Sequence, residues 1–188
     1  LYSEGTGSMS IELEKIILGS VVNNGEFRAK VHHHLKPELF ADHSIRALVD
    51  IIQTYHTLYN SYPDSTTAKI ELENKDGLSE NVFQSTKSMI DSIFSAEMAN
   101  VSKKVELKWI LDKTEKYLKT QACHNAVMES IAILDGDNKK FTPDAIPDIL
   151  KNALSISFDV NVGHDYVQDA DARFEFYHKV EEVYELAL

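Results

Sequence analysis

Three consecutive histidines, His32-His33-His34, are the residues in this chain most suggestive of chemistry. Imidazoles hold zinc when three or four ligands converge on one point. Adjacent helical residues point about 100° apart, so the triplet cannot converge by itself. At most one of the three could join His43 or His56 in a site. The reading favoured here is helix-end histidines, which sit well near the negative pole of a helix. Asp42-His43, Asp50, His56, Asp64 and His164-Asp165 offer acid–base types, but none has motif spacing. No nucleophile elbow, HExxH or GxGxxG occurs, and no G-x-x-x-x-G-K-[ST] phosphate loop. The single Cys123 excludes an intramolecular disulfide and a cysteine-based zinc site, and reads as a small buried apolar residue. The expectation is a stretch without catalytic residues, cofactor or metal.

What positions these residues is a chain of 188 amino acids that is 43% hydrophobic, enough for a packed core. Glycine (7) and proline (4) are scarce, and no segment alternates with period two, which predicts an all-α fold. The net charge of −11 opposes gripping a polyphosphate or an anionic membrane. No signal peptide or membrane-spanning apolar run is seen. The first eight residues, LYSEGTGS, are patternless and read as a scar ahead of Met9.

Residues 9–98 read as a helical globule. Ser10 is the expected cap of a first helix with Leu13, Ile16, Ile17 and Val21 on its buried face. Asn23-Asn24-Gly25 ends it, and a short helix, 26–35, carries Phe27, Val31 and Leu35. Lys36-Pro37 breaks that helix. Leu39 and Phe40 make an apolar turn, and Asp42 caps a helix from His43 to about Tyr59. Its predicted buried stripe is Ile45, Leu48, Val49, Ile52, Tyr55 and Tyr59. Thr66 or Thr67 is expected to cap a small helix ending near Lys75, and Ser79 to open another.

The second half differs. From Val101 to Leu134 there is neither proline nor glycine, which predicts one helix of about 50 Å. Its partner is a return helix over 142–156, with Pro147 in the first turn. Together they make a projecting hairpin over residues 99–158. Between Asn100 and Thr120 six lysines face three acids, with Trp109 among them. That stretch is either a contact face for an acidic partner or nucleic acid, or a solvated face laced with pairs such as Asp112–Lys116. Residues 159–188 read as a linker and linker helix. Val167, Phe174, Tyr177 and Tyr184 have helical spacing, and eight acids oppose two bases. An aromatic face beside an acidic one wants a partner surface.

The order of these parts resembles the N-terminal domain of DnaB-type replicative helicases. The resemblance rests on Leu18-Gly19-Ser20 closing the first helix, then Phe27, then the turn from Leu35 to Phe40, then the helix led by His43. It is closer to the T4-like bacteriophage branch, through AIPDILKNALSISFDVNVGHDY (145–166), DARFEFY (171–177) and KTEKY (113–117). It covers essentially Met9 to Leu188. It implies a helical globule, a hairpin and a linker helix. It also implies pairing through hairpins in a collar on a hexameric ring, with primase and helicase loader as partners. Mapped onto this chain, the hairpin face would be Val105, Trp109, Leu118, Ala122, Ile149 and Leu154. The linker helix would dock through Phe174, Tyr177, Val180 and Tyr184 on a neighbouring subunit's motor domain. The motor, with ATP, Mg2+ and 5′→3′ DNA unwinding, is implied to follow Leu188, in a protein of the host bacterial cytoplasm.

The alternative is a free-standing helical adaptor or loader of a phage replisome. A histidine-dependent metalloenzyme is the third reading. The expected behaviour is self-association, with weak, salt-sensitive DNA binding at most and no membrane contact.

Overall fold

A computed structural model describes residues 6–138 and 140–158, with side chains from residue 11 onward. Eight α-helices and no strand occur among them. They are α1 (Thr6–Asn23), α2 (Gly25–Val31), α3 (His43–Tyr59), α4 (Ser65–Glu73), α5 (Glu80–Ile93), α6 (Ala96–Lys104), α7 (Leu107–Leu134) and α8 (Ile146–Leu154). Short 3-10 turns lie at His32–His34, Pro37–Leu39 and Pro143–Ala145.

Local chemistry explains most of the starts. The first N–H groups of a helix have no intrahelical partner, and a short polar side chain just ahead can accept from them. Asn24, Asp42, Asp64, Ser79 and Ser95 all do so. Asp42 accepts from the N–H of Ser44 (2.8 Å) and of Ile45 (3.1 Å). Burial opposes its charge, but the Ser44 hydroxyl and these two N–H groups outweigh that and hold the carboxyl below its usual range. The cap of α4 is thus Asp64, not Thr66 or Thr67. Ser10 lies inside α1 rather than ahead of it, and residues 6–8, read as part of the scar, are helical.

α3 runs through the centre of the globule. It buries Ile45, Leu48, Val49, Ile51 and Ile52 and packs on α4, α5 and the Pro37–Leu39 turn. Tyr55 is half-buried and Tyr59 exposed, because the helix outruns the elements that cover it. α1 packs between α2 and α6 and buries Glu14, Ile17, Leu18, Ser20 and Val21. Leu13 and Ile16, expected on that face, are half-buried.

The expected helix from Val101 to Leu134 is two helices. Val105 and Glu106 adopt extended backbone (ψ 128° and 129°), and α6 folds back on α1. Residues 99–104 therefore belong to the globule, and the hairpin starts at Leu107. The crossing of α1 and α6 explains Gly19: a Cβ there would lie 2.5 Å from Met98 Cγ and Sδ and 3.2 Å from Ser102 Oγ. The small residue in the Leu18-Gly19-Ser20 run is a packing requirement.

α7, 28 residues or about 42 Å long, ends in a Schellman arrangement. Gly136 takes φ +78°, its N–H bonds Ile133 O (3.2 Å), and the Asp137 N–H bonds Ala132 O (2.9 Å). The chain then returns as α8, with Pro147 in the first turn, where its missing N–H costs no helical bond. Globule and hairpin up to Ser157 form a single compact unit. The expected linker helix, with Phe174, Tyr177, Val180 and Tyr184, lies outside the described residues.

Candidate interaction surface

α7 carries one buried seam, and its spacing is nearly invariant. Ile110, Thr114, Leu118, Ala122, Ala126 and Ser130 recur every fourth residue, followed by Ile133. An i, i+4 row forms a ridge that another helix or turn can pack against. α7 packs against α2, the Pro37–Leu39 turn and α8. Thr114, Ala122, Ala126 and Ser130 are small, which brings the partners close and leaves the larger side chains outside.

Three contacts hold α7 to the globule. Tyr117 Oη donates to Glu14 Oε1, which also accepts from the Ala41 N–H at 3.0 Å. The Tyr117 ring sits 6.1 Å from that of Phe40. Asn125 Nδ2 donates to Glu38 O at 2.8 Å. Glu14 is wholly buried, and its Oε2 has no hydrogen-bond partner among the described residues. A carboxylate thus ties α1, the Ala41 turn and α7 together from the inside.

The proposed hairpin face is split by this geometry. Leu118 (0% exposed) and Ala122 (9%) lie within the chain's own packing and present nothing to a second copy. Val105 and Ile149 are half-buried, and Trp109 and Leu154 are exposed. The open apolar surface is elsewhere: Val127, Met128, Ile131 and Leu134 on the distal half of α7 are 47–67% exposed. Phe141 in the connecting turn and Leu154 on α8 add to the exposed apolar set. The small-residue seam was the signal for this stripe. A strict fourth-residue row of Thr, Ala and Ser marks the inner side and turns 127, 128, 131 and 134 outward.

A groove of about 550 Å3 runs where the hairpin meets the globule, lined among others by His33, His34, Glu38, Asn125, Ile149 and Asn152. It is shallow and mixed in character. The histidines lie beside it in a second cluster. The His32 and His56 rings pack with centroids 4.0 Å apart and planes inclined at 54°, and His32 Nδ1 lies 2.7 Å from Tyr62 Oη. The Arg28 guanidinium stands 4.3 Å from the Tyr62 ring centroid. Burial, then the neighbouring His56, His33 and Arg28, keep the His32 imidazole below its ordinary pKa. So one residue of the triplet does reach His56, as the spacing allowed, but the pair is a tilted ring contact bonded to a tyrosine. Among the described residues no three of His, Cys, Asp and Glu are placed to hold a metal ion. No helix among them is long and apolar enough to cross a membrane.

Comparison with known proteins fits this architecture. The model of the DnaB-like helicase N-terminal domain family matches residues 7–107, which takes in α1 to α6. The chain is 30% identical over 172 residues to the DnaB-like replicative helicase of Enterobacteria phage T4. That alignment covers 87% of this chain and 34% of the phage protein, so the chain spans about a third of its relative's length. The matched region contains the α1–α6 crossing at Gly19 and the capped α3, and the alignment continues beyond it into the hairpin. With more than half its residues inside the family model, the chain belongs to the DnaB-like helicase N-terminal domain family.

Proposed function

We propose that this chain is the collar of a hexameric replicative DNA helicase. It pairs subunits through its hairpin and offers docking surface to primase or a helicase loader, without catalysis of its own. The observation that supports this reading is the uncovered apolar stripe Val127, Met128, Ile131 and Leu134. Large apolar side chains clustered on one exposed helix face mark a protein contact. The hairpin self-association face is therefore redrawn: Trp109 and Leu154 stay available, and the distal α7 stripe replaces Leu118 and Ala122. The linker segment, through Phe174, Tyr177, Val180 and Tyr184, docks on a neighbouring motor domain that binds ATP and Mg2+ and drives 5′→3′ unwinding. The setting is the cytoplasm of the host bacterium.

Sedimentation of the chain with and without residues 165–188, alone and mixed with the cognate primase, tests this reading. Self-association is expected in both forms, because the stripe lies on α7, and primase is expected to co-sediment. A monomer at high micromolar concentration, or assembly lost with residues 165–188, would contradict pairing through the hairpin.

A further inference from the structure

The outer side of α7 is basic and aromatic over its first three turns. Trp109, Lys113 and Lys116 stand at i, i+4 and i+7, on one stripe about 10 Å long. All three are exposed, as are Lys103 and Lys104 in the last turn of α6 and Lys108 in the first turn of α7. Lys113 Nζ lies 5.9 Å from the Trp109 ring centroid. None of these five lysines has a carboxylate within 4.0 Å among the described residues. The Asp112–Lys116 pair that helical spacing would permit is not made. Glu106 and Asp112 are the exposed acids nearby in sequence.

In a chain of net charge −11, five cations with no carboxylate partner among the described residues, beside its only tryptophan, are not a generic solvated face. Like-charge crowding of this kind does not stabilise the fold, and the indole, 43% exposed, leaves part of its ring surface open to a ligand. We propose that this elbow between α6 and α7 is a low-affinity contact for single-stranded nucleic acid. A base stacks on Trp109 while Lys108, Lys113 and Lys116 take the flanking phosphates. Stacking on an aromatic ring within a cationic track is how single strands are held without sequence preference. An acidic polypeptide would use the lysines but has no need of the ring face. The surrounding negative charge opposes any polyanion at long range, so the contact is weak and strongly salt-dependent.

Because Trp109 is the only tryptophan, its emission reports the contact directly. An oligothymidylate of about 10 nucleotides, titrated at about 20 mM KCl, is expected to quench it. Three phosphate contacts predict a slope of log K against log salt of about −2. Lys113→Glu with Lys116→Glu should weaken binding about tenfold or more. Trp109→Phe, followed by anisotropy of a labelled oligonucleotide, should weaken it about fivefold with an unchanged salt slope. All three side chains are exposed, and circular dichroism confirms that the variants fold. Absence of quenching and anisotropy change at millimolar oligonucleotide would overturn the proposal. So would lysine variants of unchanged affinity, or equal quenching by polyglutamate of matched length, which would assign the surface to an acidic polypeptide.

Discussion

At the scale of single residues, the histidine cluster makes a prediction about pH. His32 and His34 are both held below the ordinary imidazole pKa of about 6.5 by burial and by neighbouring cations, chiefly His56 and His33 respectively. A group whose pKa is lower in the folded state binds fewer protons folded than unfolded. Its contribution is therefore complete above the unfolded pKa and is lost as pH falls through about 6.5 and below. Thermal melts should show Tm falling as pH drops from about 7 toward 5, with a shallower fall in His32→Gln. An identical pH slope in that variant would show that the His32–His56 pair is not the titrating element. The pair itself was not legible, because it depends on His56 and Tyr62, which only the path of α3 and the chain beyond it brings to His32.

At the scale of elements, two caps were legible, while the starts of α1 and α4 and the break in the long helix were not. Asp42 and Ser79 are short polar residues directly ahead of apolar periodicity, and each caps the helix the sequence predicts. Val105-Glu106 carries no proline or glycine, so nothing local announces that α6 ends there. What accompanies the break is tertiary: α6 packs on α1 at Gly19, where a Cβ would lie 2.5 Å from Met98. Glu14 is the other hidden feature. A glutamate on an amphipathic helix reads as solvent-facing, yet this one is buried because Tyr117, 103 residues later, and the Ala41 N–H meet its Oε1. Tyr117→Phe removes one of those donors and leaves a buried carboxylate with a single bond. The expected cost is about 1–3 kcal/mol in denaturant unfolding. Glu14→Leu with Tyr117→Phe should recover part of it, since neither polar group then remains buried without its partner. A double variant less stable than both single ones would show that the bridge is not what holds α7 to the globule.

At the scale of the whole molecule, the all-α architecture followed from composition and periodicity, and the family from short runs such as Leu18-Gly19-Ser20 and the Leu35–Phe40 turn. The location of the apolar contact face did not follow. Helical periodicity identifies that α7 has an apolar side, but Leu118 and Ala122 face inward and Val127, Met128 and Ile131 face outward. Which side meets the chain's own core is decided by α8 and the Pro37–Leu39 turn. The exposed stripe on the distal half of α7 is the feature on which the proposed assembly rests. The lysine-rich elbow lies at the opposite end of α7 from that stripe, and Trp109 is the one residue that assembly and strand contact would share.

The most direct measurement is the solution mass of the chain by light scattering, for the unaltered protein and for Met128→Glu with Ile131→Glu. Both side chains are about half exposed, so the substitutions leave the core untouched. The unaltered chain should have the mass of a dimer or a larger assembly at high micromolar concentration, and the variant that of a monomer with unchanged helicity. A monomeric unaltered chain, or a variant that keeps the larger mass, would contradict assembly through the distal half of α7.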